Sequence, residues 1–282
     1  VPSYLTPQDG QPCARAATQS AAERDATVAA VRQWGCGLCR GALSEEDLVS
    51  MRKALGVGFG TTARRATEVA RWMGQHDPNV QMGRFTFGRL HCLIRGSPTF
   101  EPQATSVHGA LAPLVHTFFR DLQAEGDRIF LSEAQLIVVD PLAEQQVWHA
   151  DSYGGPGLTF FIPLVNVAAD RGVQEVLPGT HLLHDRTLGL RERWRKCLSA
   201  LCETHGAVAV APETPSGKVW AAGDALVLDG RTLHRGLAND SLGASIPMLV
   251  LRYDMGSTPP PGCGRTKLRA MKQAGSALER VF

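Results

Sequence analysis

Two histidines and a carboxylate, His149, Asp151 and a distant His234, are the side chains in this sequence best suited to hold a metal ion. His149 and Asp151 stand two residues apart in the triplet His149-Ala150-Asp151. On an extended strand, residues i and i+2 project from the same face, so both side chains can reach one ion. His234 must then arrive from another strand. Two neutral imidazoles plus one carboxylate occupy one face of an Fe(II) ion and leave the other positions open, as in the facial triad of non-haem iron oxygenases. A closed zinc site wants a fourth protein ligand, and no nearby cysteine is suitably placed. The triplet alone is weak, because such spacings arise by chance and a lone strand histidine is more often a hydrogen-bonded structural residue. Its weight depends on the elements that would position it.

Those elements change character along the chain. Residues 1–20 are polar and proline-bearing, an expected extended arm. Apolar residues at helical spacing predict a helix from Ala21 to Gln33, ended by Gly35. Cys36–Leu43 reads as a strand, and Ser44 before Glu45-Glu46-Asp47 as the N-cap of a helix to Leu55. Helices are expected again over Ala63–Met73 and His108–Glu125, the second with an apolar face of Leu111, Leu114, Val115, Phe118 and Leu122. Arg84–Ile94 reads as a strand between them. From Ala134 onward, short strands alternate with Gly, Pro and Asp turns: Ala134–Val139, Gly157–Val167, Gly172–Leu177, Val208–Ala211, Ala225–Leu228 and Pro247–Tyr253. An Arg- and Lys-rich helical insert over 182–207 interrupts them, and 256–282 forms a basic tail. Helices first and strands second predict one α+β domain over 21–255, a helical N-terminal layer on an antiparallel barrel or jelly roll.

Composition narrows the class. The 282 residues are 44% hydrophobic and 20% charged, with a net charge of +2, so neither nucleic acid nor an anionic membrane is indicated as a partner. No apolar run approaches the roughly 20 residues that span a bilayer. The seven cysteines, an odd number, argue for a reducing, intracellular setting over a disulfide framework. Cys36-Gly37-Leu38-Cys39 is a CxxC, but residues three apart on a strand face opposite ways, which suits neither a disulfide nor chelation. The sequence begins at Val1, as expected of a processed or partial chain.

From Gln146 to Tyr253 the sequence resembles the phytanoyl-CoA hydroxylase-like branch of the Fe(II)/2-oxoglutarate dioxygenases. The residues carrying the resemblance are Gln146-Val147-Trp148-His149-Ala150-Asp151, Phe161-Ile162-Pro163-Leu164, and Gly172-Val173-Gln174-Glu175-Val176-Leu177-Pro178-Gly179-Thr180-His181. Gly223-Asp224-Ala225, Leu233-His234-Arg235-Gly236 and Asn239-Asp240-Ser241 complete them, and Trp34 to Ser44 resembles the family's opening segment. The resemblance implies a double-stranded β-helix, cupin-like, with iron at one mouth. It implies His149, Asp151 and His234 as iron ligands, 2-oxoglutarate as cosubstrate, and oxidation of a small-molecule substrate. Asp151 argues against a halogenating variant, in which a small residue replaces the carboxylate so that chloride binds.

One departure bears on function. The resemblance implies an arginine about eleven residues after the second histidine, where a planar guanidinium would pair with the distal carboxylate of 2-oxoglutarate. That position is Ser245, or Ile246 if the loop is one residue longer. Arg252 lies at an odd offset from Ser245 and an even one from Ile246. Arg84, Arg89 and Arg235 are the other basic candidates, although Arg235 follows a ligand and should point away. Three alternatives stay open: another basic residue binds the cosubstrate, a different cosubstrate is used, or turnover is lost and the fold serves as a binding or scaffold subunit with a protein partner. Gln146 and Gln174 are candidate cosubstrate contacts alongside Arg252. His181 reads as a turn residue, as does His184, and Trp148 and Tyr153 as rim packing or pocket lining. The basic run Arg186–Lys196 reads as a solvated helix face or as a lid over an anionic substrate.

Overall fold

The computed structural model describes residues 20–256 apart from 60–61, 85, 153–154, 169–170, most of 184–207, 210–212 and 215–216. Apart from Ser20 and Gly256, the expected arm and the basic tail lie outside the described residues, as do nearly all of the insert, Tyr153, His184 and Arg186.

Four helices precede the strand-rich half: α1 (Ala21–Trp34), α2 (Glu45–Ala54), α3 (Ala66–His76) and α4 (Glu101–Phe119). A capping box opens α1: Ser20 Oγ accepts from Glu23 N at 3.3 Å, and the Glu23 carboxylate accepts from Ser20 N at 2.8 Å. Gly35 closes the helix at φ 78°, where a side chain would be strained and would strike Thr232. Ser44 caps α2 as its position predicts, accepting from Asp47 N at 3.1 Å. The last helix departs from expectation. It starts at Glu101, with proline tolerated in its first turn, and ends at Phe119. Leu122 therefore lies beyond it and is 43% exposed, while Leu111, Leu114, Val115 and Phe118 are buried as expected.

The helices cover one face of a seven-stranded antiparallel sheet. Its strand order is Cys36–Cys39, Ala225–Asp229, Gly157–Pro163, Ile246–Gly256, Arg128–Val139, Arg89–Leu93, Gln81–Gly83. Alternate residues separate two cores. Leu136, Val138, Phe160, Ile162, Leu249 and Leu251 face the helices. Ile137, Val139, Phe161, Leu226, Leu228, Ile246, Met248 and Val250 face a second, smaller layer of strands. With both faces covered, the central strands are buried along their length, so hydrophobic alternation is weak in the sequence. The second layer includes Gln174–Val176, paired on one side with Val208–Ala209 and on the other with His234–Gly236. Two facing antiparallel sheets enclosing a core make this a cupin-like jelly roll, with a helical layer outside it.

The CxxC behaves as its strand position requires. Cys36 packs into the core between the sheets and Cys39 into the core beneath the helices. Both thiols are free and buried, and burial pushes each up to about 12.

Candidate metal centre

The site is built where two strand ends meet. His149 and His234 form an antiparallel bridge: His149 N donates to His234 O at 3.0 Å, and His234 N donates to His149 O at 2.9 Å. This pairing sets the two imidazoles side by side, with ring centroids 4.4 Å apart. Asp151, two residues beyond His149, shares the inward face. One ligand atom from each of the three residues lies within 4.8 Å of the others.

The tautomers follow from the hydrogen bonds. His149 Nδ1 contacts Val147 O at 2.9 Å, and His234 Nδ1 contacts Thr232 O at 2.9 Å. A carbonyl only accepts, so both Nδ1 atoms carry a proton, and in its neutral form each ring would present its Nε2 lone pair. His234 Nε2 is buried with no hydrogen-bond partner and lies 3.8 Å from Asp151 Oδ1. A buried imidazole nitrogen without a partner, facing a carboxylate and a second imidazole, fits a metal cation that would take its lone pair. Burial first, and then the neighbouring His149, pull His234 down to about 4 against the opposing pull of Asp151. The ring is therefore neutral at physiological pH, as a ligand must be.

Asp151 is held as a carboxylate. Burial alone would raise its pKa. His234 and His149, which exert this pull only when protonated, the Arg252 guanidinium and the Thr159 hydroxyl outweigh that and hold it below the usual carboxylate range. Thr159 Oγ1 donates to Asp151 Oδ2 at 2.9 Å, which leaves Oδ1 turned toward the histidines. Arg252 Nη1 donates to Asp151 O, and its Nη2 pairs with Asp254 at 2.7 Å. The even offset from Ile246 holds, since Ile246, Met248 and Val250 all face the space between the sheets. At Arg252 the same strand reaches the ligand end, opposite Thr159 and Glu133.

The remaining candidates separate by face. Gln146 Oε1 accepts from Gly236 N at 3.0 Å. Gln174 sits directly across from Gly236 and is buried, with its Nε2 3.9 Å from Met248 Sδ and its Oε1 without a partner. Ser245 donates to Asp140 Oδ1 at 2.9 Å, and Ile246 is apolar, so neither supplies a charge. Arg84 is exposed. Arg235 points away from the barrel interior as expected, paired with Glu175 at 2.6 Å and stacked 4.6 Å from the Trp148 ring centre. Trp148 thus packs at the rim. His181 Nε2 contacts Arg32 O at 3.0 Å, a structural role. Arg89 is buried in the barrel, and burial lowers its pKa to about 10.

A polar row beside the triad has no counterpart among the sequence candidates. Glu133 accepts from Gln135 Nε2 at 2.6 Å, and Gln135 Oε1 contacts His91 Nδ1 at 3.1 Å. All three are buried and share the inward face with Thr159 and Arg252. The signal lay in Glu133 and Gln135, polar residues at period two in a strand that is buried from Ser132 onward.

Comparison with known proteins adds context to this geometry. The sequence profile of the phytanoyl-CoA dioxygenase family matches residues 32–245. No curated protein sequence matches significantly. Among solved structures, the chain is similar to the non-heme alpha ketoglutarate dependent epimerase SnoN from nogalamycin biosynthesis, at TM-score 0.57 and 18% identity, covering 85% of this chain and 87% of that one. It is similar to EctD from S. alaskensis with bound Fe, at TM-score 0.55 and 15% identity over 89% of this chain and 81% of that one. HygX from Streptomyces hygroscopicus, with nickel and 2-oxoglutarate bound, matches at TM-score 0.52 and 11% identity over 81% and 85%. At these identities the likeness concerns the fold.

Proposed function

The chain belongs to the phytanoyl-CoA dioxygenase family, and on that footing we propose that it is a non-haem Fe(II)/2-oxoglutarate-dependent dioxygenase that oxidises a small organic molecule. One observation carries the reading: the buried Nε2 of His234 has no partner and shares a space with His149 and an ionised Asp151. His149, Asp151 and His234 would hold the iron. When bound, iron with 2-oxoglutarate supplies an oxygen-dependent oxidation of an unactivated C–H bond.

The protein's own contribution is positioning. The reciprocal backbone bonds between His149 and His234 fix two ligands in register. Thr159 and Arg252 orient the third from its side-chain and main-chain oxygens. Gln146 and Gln174 lie on the side of the site nearer Gly236, and in this reading they would contact the cosubstrate. Glu133, Gln135 and His91 form a polar wall on the inward face, placed to orient substrate by hydrogen bonds. The alternative, a degenerate member acting as a binding subunit, is favoured by the uncharged Ser245 and Ile246.

The test is succinate release from 2-oxoglutarate under air, screened with a panel of small molecules. Release that needs Fe(II), rises with one class of compound and disappears in Asp151→Ala supports the dioxygenase. Release indifferent to Asp151→Ala contradicts it.

A further inference from the structure

Among the described residues, the buried cation Arg89 inside the barrel has no acidic partner. It is 1% exposed and opens the strand Arg89–Leu93. Arg89 faces Val139 across one strand pair, and Val139 faces Ile246 across the next. The three residues form one row of the sheet, and Val139 and Ile246 both point into the space between the sheets. The guanidinium donates from Nε to Glu144 O at 3.0 Å and from Nη2 to Leu237 O. No described carboxylate forms an ion pair with it. Two carbonyls take two of its five hydrogens and leave three, two of them on Nη1. A buried charge without a counter-charge is costly, so such a group points to an anion that the protein itself does not provide.

The surroundings say where that anion would lie. Nη1 stands 2.8 Å from the point where a Cβ on Gly236 would be, and Gln146 Oε1 stands 2.8 Å from the same point. The guanidinium therefore approaches the bare backbone of Gly236, which is required here for space. Gly236 is two residues from His234 on one strand, so the cation and the metal ligand share a face about 7 Å apart. Gln174, across from Gly236, has one end of its buried amide without a partner and the other against only a thioether. Whichever way the amide is turned, it has hydrogen-bonding capacity to offer in the same space.

We propose that Arg89, assisted by Gln174, binds the distal carboxylate of the 2-oxo acid cosubstrate, supplying from two strands away the charge that Ser245 and Ile246 lack. A ligand whose oxo-acid head reaches the metal and whose carboxylate lies about 7 Å off along the strand has the shape of 2-oxoglutarate. Arg252, by contrast, already has a counter-charge in Asp254, 2.7 Å from its Nη2. This assignment rests on the proposed function, and it removes the main observation in favour of a degenerate protein.

The experiment compares 2-oxoglutarate with 2-oxopentanoate, which has the same chain length and no distal carboxylate. The Fe(II)-loaded protein is titrated anaerobically with each, following the charge-transfer absorption of the chelate. Wild type should prefer 2-oxoglutarate by about 30-fold or more, and Arg89→Met should lose that preference while its affinity for 2-oxopentanoate and Fe(II) stays within about three-fold. Undiminished preference in Arg89→Met overturns the assignment, and so does equal weakening of both acids, the mark of a structural role. If Arg89→Met does not fold, Arg89→Lys replaces it. That variant should weaken 2-oxoglutarate about ten-fold and spare 2-oxopentanoate, because a point charge substitutes poorly for a fork. Equal loss of both acids again overturns it. A wild-type protein that gives no absorption with either acid overturns the function itself, a result distinct from failure of Arg89 alone.

Discussion

His149 and His234 hold each other through their backbones, exchanging both hydrogen bonds at 3.0 and 2.9 Å, so the two imidazoles are set by sheet register and not by loops. A site anchored this way should be rigid before metal arrives. Thr159 extends the arrangement to the third ligand through its 2.9 Å bond to Asp151 Oδ2. Thr159→Val keeps the shape and removes the hydroxyl. Fe(II) affinity should fall about 10- to 100-fold, as for other residues that orient ligands, with an unchanged circular dichroism spectrum. Equal affinity in a metal-competition titration would show that Asp151 needs no such support.

Gly236 supplies a second test of the barrel interior. A Cβ there meets Arg89 Nη1 and Gln146 Oε1, each at 2.8 Å, and both are ends of movable side chains. Gly236→Ala should therefore fold, yet push the guanidinium aside. Affinity for 2-oxoglutarate should fall about ten-fold or more while Fe(II) binding persists. Isothermal titration of the metal-loaded variant measures both.

His91 gives a pH-dependent prediction. Burial, with Arg89 and His149 nearby, lowers its pKa from 6.5 to about 4, against a raising bond to Gln135. The folded state thus refuses a proton that the unfolded state accepts. The associated stability is complete above pH 6.5 and is lost as pH falls toward 4, amounting to about 3 kcal/mol. Urea denaturation of metal-free wild type and His91→Gln across this window should show a shallower acid decline in the variant. Parallel curves would mean that His91 does not titrate as its burial requires.

Among the described residues three cysteines, Cys36, Cys39 and Cys92, are free and buried, and burial pushes each thiol up to about 12. At pH 8 essentially none is thiolate, the reactive form. Iodoacetamide should leave all three unmodified in the native protein and alkylate them after denaturation, as read by peptide mass spectrometry. Rapid native labelling of Cys36 or Cys39 would revive a redox role for the CxxC.

The sequence carried the triad because its chemistry is local: two ligands at i and i+2 declare a shared face without any fold. The Ser44 cap and the stop at Gly35 were legible for the same reason, whereas the capping box at Ser20 fell inside the expected arm. Arg89 was one basic candidate among several, because its importance depends on facing Ile246 across two strand pairs, and register between distant strands leaves no mark in either segment. His91 was hidden similarly, since its partner Gln135 lies on another strand. Glu133 and Gln135 did leave a mark, two polar residues at period two, but burial on both faces blurred the alternation around them. The start of α4 was missed because the apolar periodicity is strong only from Val107 onward, whereas the helix begins at Glu101.

The central claim is that these three side chains bind iron in a form that also accepts 2-oxoglutarate. The most direct measurement is anaerobic addition of Fe(II) and then 2-oxoglutarate to the purified protein, observed by visible absorption. The account predicts a charge-transfer band that saturates at one cosubstrate per chain and is absent from His234→Ala. A wild-type protein that shows no band at millimolar 2-oxoglutarate, or a band that survives in His234→Ala, would contradict it.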